Sequence, residues 1–327
     1  MDGPADRLAE FRRHGGRLEA AAALFPDAPR PWLDLSTGVN PRPYPLRRVP
    51  RAALARLPDP RDTAAAEAAA AQAFGAASEA VVAVPGSEAA LRLLPRLLGA
   101  RTVAISTETY GGHAEAWRAA GADVIRDPAG AEAWVVVNPN NPDGALTPMA
   151  DLLASAKRRW TIVDEAFVDA TPQQSLAAQA GGRLVALRSF GKFYGLPGLR
   201  LGFVVADPGL AAKIRLAQGD WPVGAEAVAA ARAAYSDAGW AAATRIRLAR
   251  DARRLDALLQ GAGLPPTQGT ALFRLARAPD AAALFLRLAQ AGILTRPFED
   301  ACRLRFGLPG TPRAWTRLAQ ALTGEAA

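Results

Sequence analysis

The chain has 327 residues, of which 50% are hydrophobic and 21% are charged, so it is long enough for two domains with a sizeable core. Its single cysteine, Cys302, excludes an intramolecular disulfide framework, and no apolar run approaches the roughly 20 residues that cross a bilayer. The net charge is +8, but the arginines are spread along the chain and form no basic patch, so we expect no nucleic-acid partner.

The predicted elements follow an opening segment, residues 1–16, that has no apolar stretch of the secretory kind, so we expect a cytoplasmic protein without a membrane anchor. An alanine-rich stretch over 63–74 predicts a helix, because alanine is the strongest helix former. Short apolar runs then alternate with helical patterns such as Glu88–Leu98 and Ala114–Ala120. The strand candidates are Val81–Val84, Thr102–Ile105, Trp134–Val137, Thr161–Val163, Leu184–Leu187 and Leu201–Val205. This alternation predicts a largely parallel sheet covered by helices, an α/β fold whose ligands bind beyond the carboxyl ends of the strands.

The last third of the chain shows a different pattern. It is mostly helical after residue 207 and through residue 260, and two more strand candidates follow at Ala271–Leu275 and Arg303–Phe306. A proline-rich segment over 41–50 marks the passage from an N-terminal arm into the sheet-forming part. The expected organisation is an arm over 1–45 that packs with the small domain and the active site, a large ligand-binding domain over 46–205 and a small α/β domain over 206–327.

The first strand candidate is followed by the sequence PGSEAALRLL. Gly86 permits a tight turn, and Ser87 and Glu88 open a helix whose free amides would face an anion. The pattern therefore predicts a phosphate cradle. The alternative is an ordinary helix cap, which uses the same residue types.

Polar residues also follow two later strand candidates. Asn141 lies in NPNNPDG, where two prolines and a glycine make the loop rigid, although such clusters are usually turns. Asp164 opens DEAF at the end of an apolar strand, where a carboxylate needs a cation or several hydrogen-bond donors.

The stretch SFGKFYGLPGLRLGF over 189–203 contains Lys192, one of only three lysines in the chain. A lysine amine can lose its proton when buried and act as a nucleophile, which an arginine does not do. Lys192 is therefore a candidate for an imine-forming lysine, and the alternative is a solvated lysine in a surface loop. Ser189 precedes it, and Arg200 follows eight residues later.

Together these residues fit one ligand, pyridoxal 5′-phosphate (PLP), which stabilises a carbanion as an electron sink. Asp164 would pair with the ring nitrogen, and Asn141 would bond the ring hydroxyl oxygen. The phosphate would be held by Ser87, Ser189 and Arg200, and the imine would form on Lys192.

The motifs PGSEAAL, TYGGH, NPNNPDG, DEAF and SFGKFYGLPGLRLGF occur in an order that resembles the fold-type I, aspartate-aminotransferase-like (class I/II) family of PLP enzymes. The resemblance implies a large domain with a mostly parallel sheet between helices, plus a smaller α/β domain. It also implies that Tyr110 stacks on the pyridine ring and takes part in catalysis with Lys192 and Asp164. His113 would support the aspartate that pairs with the ring; the alternative is a histidine satisfied at a helix start.

The N-terminal stretch is similar to the opening of one branch of this family, the threonine-phosphate decarboxylases of cobalamin biosynthesis. The similarity lies in His14-Gly15-Gly16 and in LSTGVNP over 35–41. It implies that His14 and Gly15 touch a substrate phosphate and that the backbone near Val39 lines the site. The alternative is an arm that only packs across a dimer.

Two arginines near the C-terminus would bind the substrate by the same resemblance. Arg305 would hold the carboxylate and Arg296 the phosphate region, with Asn141 also near the substrate; a guanidinium grips such groups with two parallel hydrogen bonds. Arg303 lies on the same face of the predicted strand and is an alternative to Arg305. The family often has tyrosine where this chain has Phe167.

The resemblance therefore implies a PLP-dependent lyase that decarboxylates L-threonine O-3-phosphate to (R)-1-aminopropan-2-yl phosphate and CO₂, as a homodimer. The runner-up is an aminotransferase similar to those that act on histidinol phosphate. A third hypothesis is a non-enzymatic scaffold, but a scaffold has no need of an imine lysine. With two histidines, one cysteine and no ligand spacing of the usual kinds, we expect no metal site.

Overall fold

A computed structural model describes residues 4–106, 108–300 and 302–324, with the side chains of these residues except 4–8 and 266–267. Contacts group the described chain into two compact units. One is Pro43–Thr244, and the other combines the described parts of Met1–Arg42 and Arg245–Ala327. In the described residues, no helix is both long enough and apolar enough to cross a membrane.

Both units contain strands and α-helices. The strands are β1 Leu33–Asp34, β2 Val81–Val84, β3 Thr102–Ile105, β4 Asp123–Ile125, β5 Ala133–Val137, β6 Trp160–Asp164, β7 Leu184–Ser189, β8 Gly202–Val205, β9 Pro266–Thr270, β10 Phe273–Arg277, β11 Ile293–Leu294, β12 Arg296–Pro297 and β13 Arg303–Gly307. The α-helices are α1 Pro4–Arg13, α2 Leu18–Leu24, α3 Arg51–Leu54, α4 Pro60–Phe74, α5 Ser87–Leu98, α6 Gly112–Ala119, α7 Met149–Ala156, α8 Phe190–Phe193, α9 Pro208–Gln218, α10 Ala225–Tyr235, α11 Ala238–Gly261, α12 Ala281–Gln290 and α13 Pro312–Thr323.

The unit Pro43–Thr244 is built on a seven-stranded sheet with the order β2-β8-β7-β6-β5-β3-β4. β4, β3, β5, β6 and β7 are parallel, and β8 runs antiparallel to both of its neighbours. The largely parallel sheet predicted from the sequence is therefore confirmed. Since the parallel strands end at one edge, the residues that follow them are brought to the same side of the unit.

The sheet carries a hydrophobic layer on each face. On one face, buried side chains of β2, β3, β5, β6, β7 and β8 pack with those of α5, α6 and α9, and Trp117 is the largest of them. On the other face, Val136, Val163 and Leu184 pack with Leu152 of α7 and with Leu176. Strands that are buried on both faces read as continuous apolar runs, which is why their positions were predictable.

The unit that contains the C-terminus has a four-stranded antiparallel sheet with the order β12-β13-β10-β9 and a two-stranded parallel sheet of β1 and β11. The domain limits expected from the sequence, 46–205 and 206–327 with an arm over 1–45, stay a prediction. By contacts, α9 and α10 fall within Pro43–Thr244, because α10 packs along α4 and α9 packs against β2.

Candidate active site

The residues expected at the strand ends lie together at the carboxyl edge of the seven-stranded sheet. Asp164 ends β6, and Ser189 ends the neighbouring β7. Lys192 lies in the short helix α8 that follows at once, and residues 138–144 follow β5 on the other side of β6. The sheet therefore brings Asp164, Ser189, Lys192 and the loop of Asn141, four of the predicted groups, to one edge.

Asp164 is buried and is held by two partners. Its Oδ2 lies 2.9 Å from Nε2 of His113, which is buried on α6, and its Oδ1 accepts a hydrogen bond of 3.0 Å from the backbone N–H of Ala166. A buried carboxylate that is bonded in this way is fixed in orientation. His113 and Asp164 are therefore in direct contact, and the support that His113 would give to a ring-pairing aspartate stays a prediction.

The start of α5 forms a cradle with a cation beside it. Gly86 has a φ of +85°, and a Cβ atom there would come within 2.8 Å of Nη2 of Arg200. At Gly202, a Cβ atom would come within 2.5 Å of the backbone nitrogen of Ser87. Only glycine at both positions lets the Arg200 guanidinium and the strand β8 lie this close to the free amides of the helix. Such a helix start with a neighbouring arginine suits a phosphate group.

Tyr110 lies at the same edge, at the start of α6. Its hydroxyl donates a 3.0 Å hydrogen bond to Oε2 of Glu88, and Glu88 also pairs with Arg92. Burial, followed by the charge of Glu88, raises the pKa of Tyr110 above its usual value. The ring lies over Gly112, where a Cβ atom would come within 2.5 Å of it. Glu88 thus contributes to this site by orienting a neutral tyrosine.

The loop that carries Asn141 is tied to the segment that carries Tyr110. The side chain of Thr109 donates to Oδ1 of Asn140 at 2.7 Å, and Nδ2 of Asn140 donates to Asp143 at 2.9 Å. Asn141 itself is buried. Sequence reasoning missed Thr109 and Asn140, although Asn140 lies within the quoted motif and offers the same amide chemistry as Asn141.

Lys192 is half-buried beside an aromatic ring, with Nζ 5.7 Å from the ring centroid of Phe167. The backbone around it is tightly packed, because a Cβ atom at Gly191 would come within 2.7 Å of Cα of Pro197. The close packing of this glycine-rich stretch therefore fixes the position of the Lys192 backbone.

The other compact unit brings the predicted substrate residues together. Arg305 of β13 is buried, and its Nη2 donates a 2.7 Å hydrogen bond to the carbonyl of Ser36. Arg296 of β12 is directly opposite in the ladder. Burial, together with the neighbouring Arg296, holds the pKa of Arg305 well below its usual value. An anion bound here would offset the repulsion between the two guanidinium groups.

The N-terminal motif His14-Gly15-Gly16 packs against Ser36, the residue whose carbonyl accepts a hydrogen bond from Arg305. A Cβ atom at Gly15 would come within 2.4 Å of the Ser36 carbonyl oxygen, and the backbone N–H of Gly16 donates to Oγ of Ser36 at 2.7 Å. Nη2 of Arg296 donates to the carbonyl of Arg13 at 3.2 Å. The side chains of His14 and Val39 are half-buried. Ser36 is the connecting residue here, and the sequence analysis did not single it out.

Arg303, the alternative to Arg305, has different surroundings. It forms an ion pair with Asp300, and its side chain is 22% exposed against 3% for the whole of Arg305. A buried arginine beside a second arginine is the better anion site of the two.

The comparisons with known proteins agree with the motifs. The sequence profile described as aminotransferase class I and II matches residues 47–322. The threonine-phosphate decarboxylase of Pseudomonas aeruginosa is 43% identical over 326 residues, which cover 95% of this chain and 97% of that protein. That of a Sinorhizobium species is 45% identical over 324 residues, covering 94% of this chain and 97% of that protein. The predicted family resemblance is confirmed.

A solved structure is similar over most of its length. The histidinol-phosphate aminotransferase of Sinorhizobium meliloti, in complex with pyridoxal 5′-phosphate, matches with a TM-score of 0.82. The match covers 94% of this chain and 93% of that chain at 20% identity. The expected fold class, an α/β fold of fold-type I, is confirmed by this likeness.

Proposed function

The chain belongs to the class I and II aminotransferase family, and from this premise we propose that it is a PLP-dependent threonine-phosphate decarboxylase of cobalamin biosynthesis. It would convert L-threonine O-3-phosphate to (R)-1-aminopropan-2-yl phosphate and CO₂. The observation that carries the proposal is the pair of neighbouring arginines beside the N-terminal motif: Arg305 donates to the carbonyl of Ser36, against which Gly15 packs, and Arg296, opposite Arg305, donates to the carbonyl of Arg13. A substrate with a carboxylate and a phosphate offers anions to both arginines.

The residues at the sheet edge fit the cofactor. Ser87, Ser189 and Arg200 would bind its phosphate, and the glycines at 86 and 202 leave room for the backbone amides to do so. Asp164, oriented by His113, would keep a proton on the ring nitrogen. When bound, PLP supplies an electron sink for the charge that is left at the substrate Cα.

Side chains near the ring would fix its position. Tyr110 would stack on it, and Asn141 would bond its hydroxyl oxygen. Glu88 holds Tyr110, and the hydrogen bonds of Asn140 hold the loop of Asn141. Neither Tyr110 nor this loop would therefore have to become ordered when the cofactor binds. Preorganisation of this kind lowers the entropic cost of binding.

The residues that would bind the substrate would determine which bond of its Cα breaks. Arg305 would hold the carboxylate, while Arg296, His14 and Gly15 would hold the phosphate. Cleavage of the bond from Cα to the carboxylate carbon would leave its electron pair at Cα and release CO₂. Lys192, which would hold the cofactor covalently between turnovers, would then return a proton to Cα.

We further propose a cytoplasmic homodimer. Support comes from the dimeric assembly that is usual in this family and from exposed apolar side chains of Leu54, Leu57 and Trp221. Sedimentation velocity at micromolar concentration would show a dimer, and a monomer at all concentrations would contradict this assembly.

The direct test of the function is CO₂ release from threonine phosphate by the PLP-loaded protein. We expect release by the wild type and none above background by Lys192→Ala. Wild-type protein that binds PLP without releasing CO₂ would refute the assignment. Equal turnover by Lys192→Ala would refute the role of the lysine.

A further inference from the structure

Arg188, the residue before Ser189 in β7, is a buried cation with no role in the proposed chemistry. Side chains alternate between the two faces of a strand. Ile162 of β6 and Leu187 of β7 pack on the face covered by α5 and α6, so Asp164 and Ser189, each two residues further along its strand, lie on that face. Glu165 and Arg188 therefore lie on the opposite face, directly behind the groups that would hold the cofactor.

The guanidinium of Arg188 joins β7 to the segment that follows β6. Its Nη1 donates to Oε2 of Glu165 at 3.1 Å and contacts Oγ of Ser175 at 2.9 Å, while its Nη2 donates to Asp169. Arg188, Glu165 and Asp169 are all buried. One side chain thus fastens three positions of the segment 165–175 to the end of β7.

Glu165 completes this arrangement from the other side. Its carboxylate accepts from Oγ of Ser175 at 2.7 Å and from the backbone N–H of Leu176. The backbone N–H of Glu165 also donates to the carbonyl of Leu187 at 2.9 Å. The segment is therefore folded back against the sheet, and its start cannot move independently of β7.

Arg188, Glu165, Asp169 and Ser175 form a largely buried cluster, the Arg188 cluster, in which the guanidinium stays charged. Burial works against the charged form of Arg188, but Asp169 and Glu165 hold its pKa above the usual value. The guanidinium also lies 4.2 Å from the ring centroid of Phe74, a favourable cation–π contact. Movement of the guanidinium would leave a buried carboxylate of Glu165 or Asp169 without its ion pair, so the two ion pairs resist displacement.

We propose that Arg188 is a positioning residue that sets the separation of Asp164 from Ser189. This rests on the proposed function, in which these two residues bind opposite ends of the rigid cofactor, its ring nitrogen and its phosphate. Small errors in such a separation cost binding and rate, since misplacement by about 1 Å can cost about 100-fold in rate.

The test uses Arg188→Lys, which keeps the charge but loses the forked geometry. Arg183→Lys is the matched control: it lies just before β7, is exposed, and donates to the carbonyl of Arg158. Three quantities are measured for each variant: the Kd of PLP for the apo-protein, kcat and KM, and hydrogen exchange in peptides that cover 160–176 and 184–194.

For Arg188→Lys we expect a Kd for PLP raised about tenfold or more, and a kcat lowered with KM for threonine phosphate within about threefold. Exchange in both peptides should be faster already in the apo-protein. Arg183→Lys should match the wild type. Unchanged exchange together with a Kd within twofold of the wild type would overturn the proposal.

Two further outcomes are distinguishable. If Arg188→Lys does not fold, Glu165→Gln is measured instead; the same changes are expected at smaller size, and their absence overturns the proposal. Wild-type protein that binds no PLP would refute the proposed function. Faster exchange in both peptides of Arg188→Lys would still show that Arg188 holds the segment 165–175 against β7.

Discussion

Arg305 and Arg303 lie two residues apart on β13, yet their surroundings differ. Arg305 is buried beside Arg296, whereas Arg303 is paired with Asp300 and partly exposed. Replacing Arg305 by Gln should lower kcat/KM for threonine phosphate by about 100-fold, because a buried charge pair is typically worth several kcal/mol. Arg303→Gln is the control and should lower it by less than about threefold, since exposed ion pairs contribute little. Steady-state kinetics decides between them, and the reverse order would reassign the carboxylate to Arg303.

The raised pKa of Tyr110 makes a prediction about alkaline pH. A group whose pKa is raised by folding contributes its full stability below its unfolded pKa, here about 10, and loses it as pH rises further. The free energy of unfolding of the wild type, relative to Tyr110→Phe, should therefore be constant up to about pH 10 and fall above it. Chemical denaturation at several pH values measures this difference. A difference that stays constant or rises above about pH 10 would contradict a pKa of Tyr110 that burial and Glu88 raise.

At the scale of elements, the close approach of β8 to the start of α5 depends on Gly202. In Gly202→Ala the new Cβ atom would meet backbone atoms of Ser87, Arg188 and Gly86, which cannot rotate away. We expect a loss of about 1–3 kcal/mol in the free energy of unfolding, as for other overpacked sites. The affinity for PLP should weaken as well.

The matched control is Gly130→Ala, because a Cβ atom at Gly130 meets nothing within 4 Å. Denaturant unfolding and a PLP titration should leave this variant close to the wild type. Equal behaviour of the two variants would show that the contact between β8 and α5 is looser than the structure describes.

The strands that end at the proposed cofactor residues were predictable because they are buried apolar runs. Val81–Val84 and Thr102–Ile105 were placed with the observed bounds, and Thr161–Val163 lies within β6. By contrast β4 was missed, since it has three residues and begins with an exposed aspartate. The two residues of β12, one of which is a proline, carry no strand signal of their own either. Such short strands form because a neighbouring strand is already in place.

The candidate site likewise contains some residues that the sequence could indicate and others that it could not. Asp164 and Lys192 could be proposed as site residues from their chemistry near strand ends. Ser36, Thr109 and the Arg188 cluster were not, because their roles come from partners far away in sequence: Ser36 meets Arg305 across 269 positions. Common residue types give no sign of such partners.

At the scale of the whole molecule, cofactor binding should raise thermal stability. A ligand at about 100 times its Kd adds about 2.7 kcal/mol to the free energy of unfolding, which for a chain of this size is a rise of several degrees in Tm. Pyridoxal, which lacks the phosphate, is the matched control and should raise Tm much less, because it leaves the cradle of Ser87 and Arg200 empty. Differential scanning calorimetry compares the two ligands, and equal effects would contradict a phosphate cradle at α5.

The most direct measurement is mass spectrometry of the products formed from protein, PLP and threonine phosphate, with and without 2-oxoglutarate. The account predicts (R)-1-aminopropan-2-yl phosphate in both mixtures, because decarboxylation needs no amino acceptor. Glutamate formed only in the mixture with 2-oxoglutarate, without aminopropanol phosphate in either, would contradict it and identify an aminotransferase.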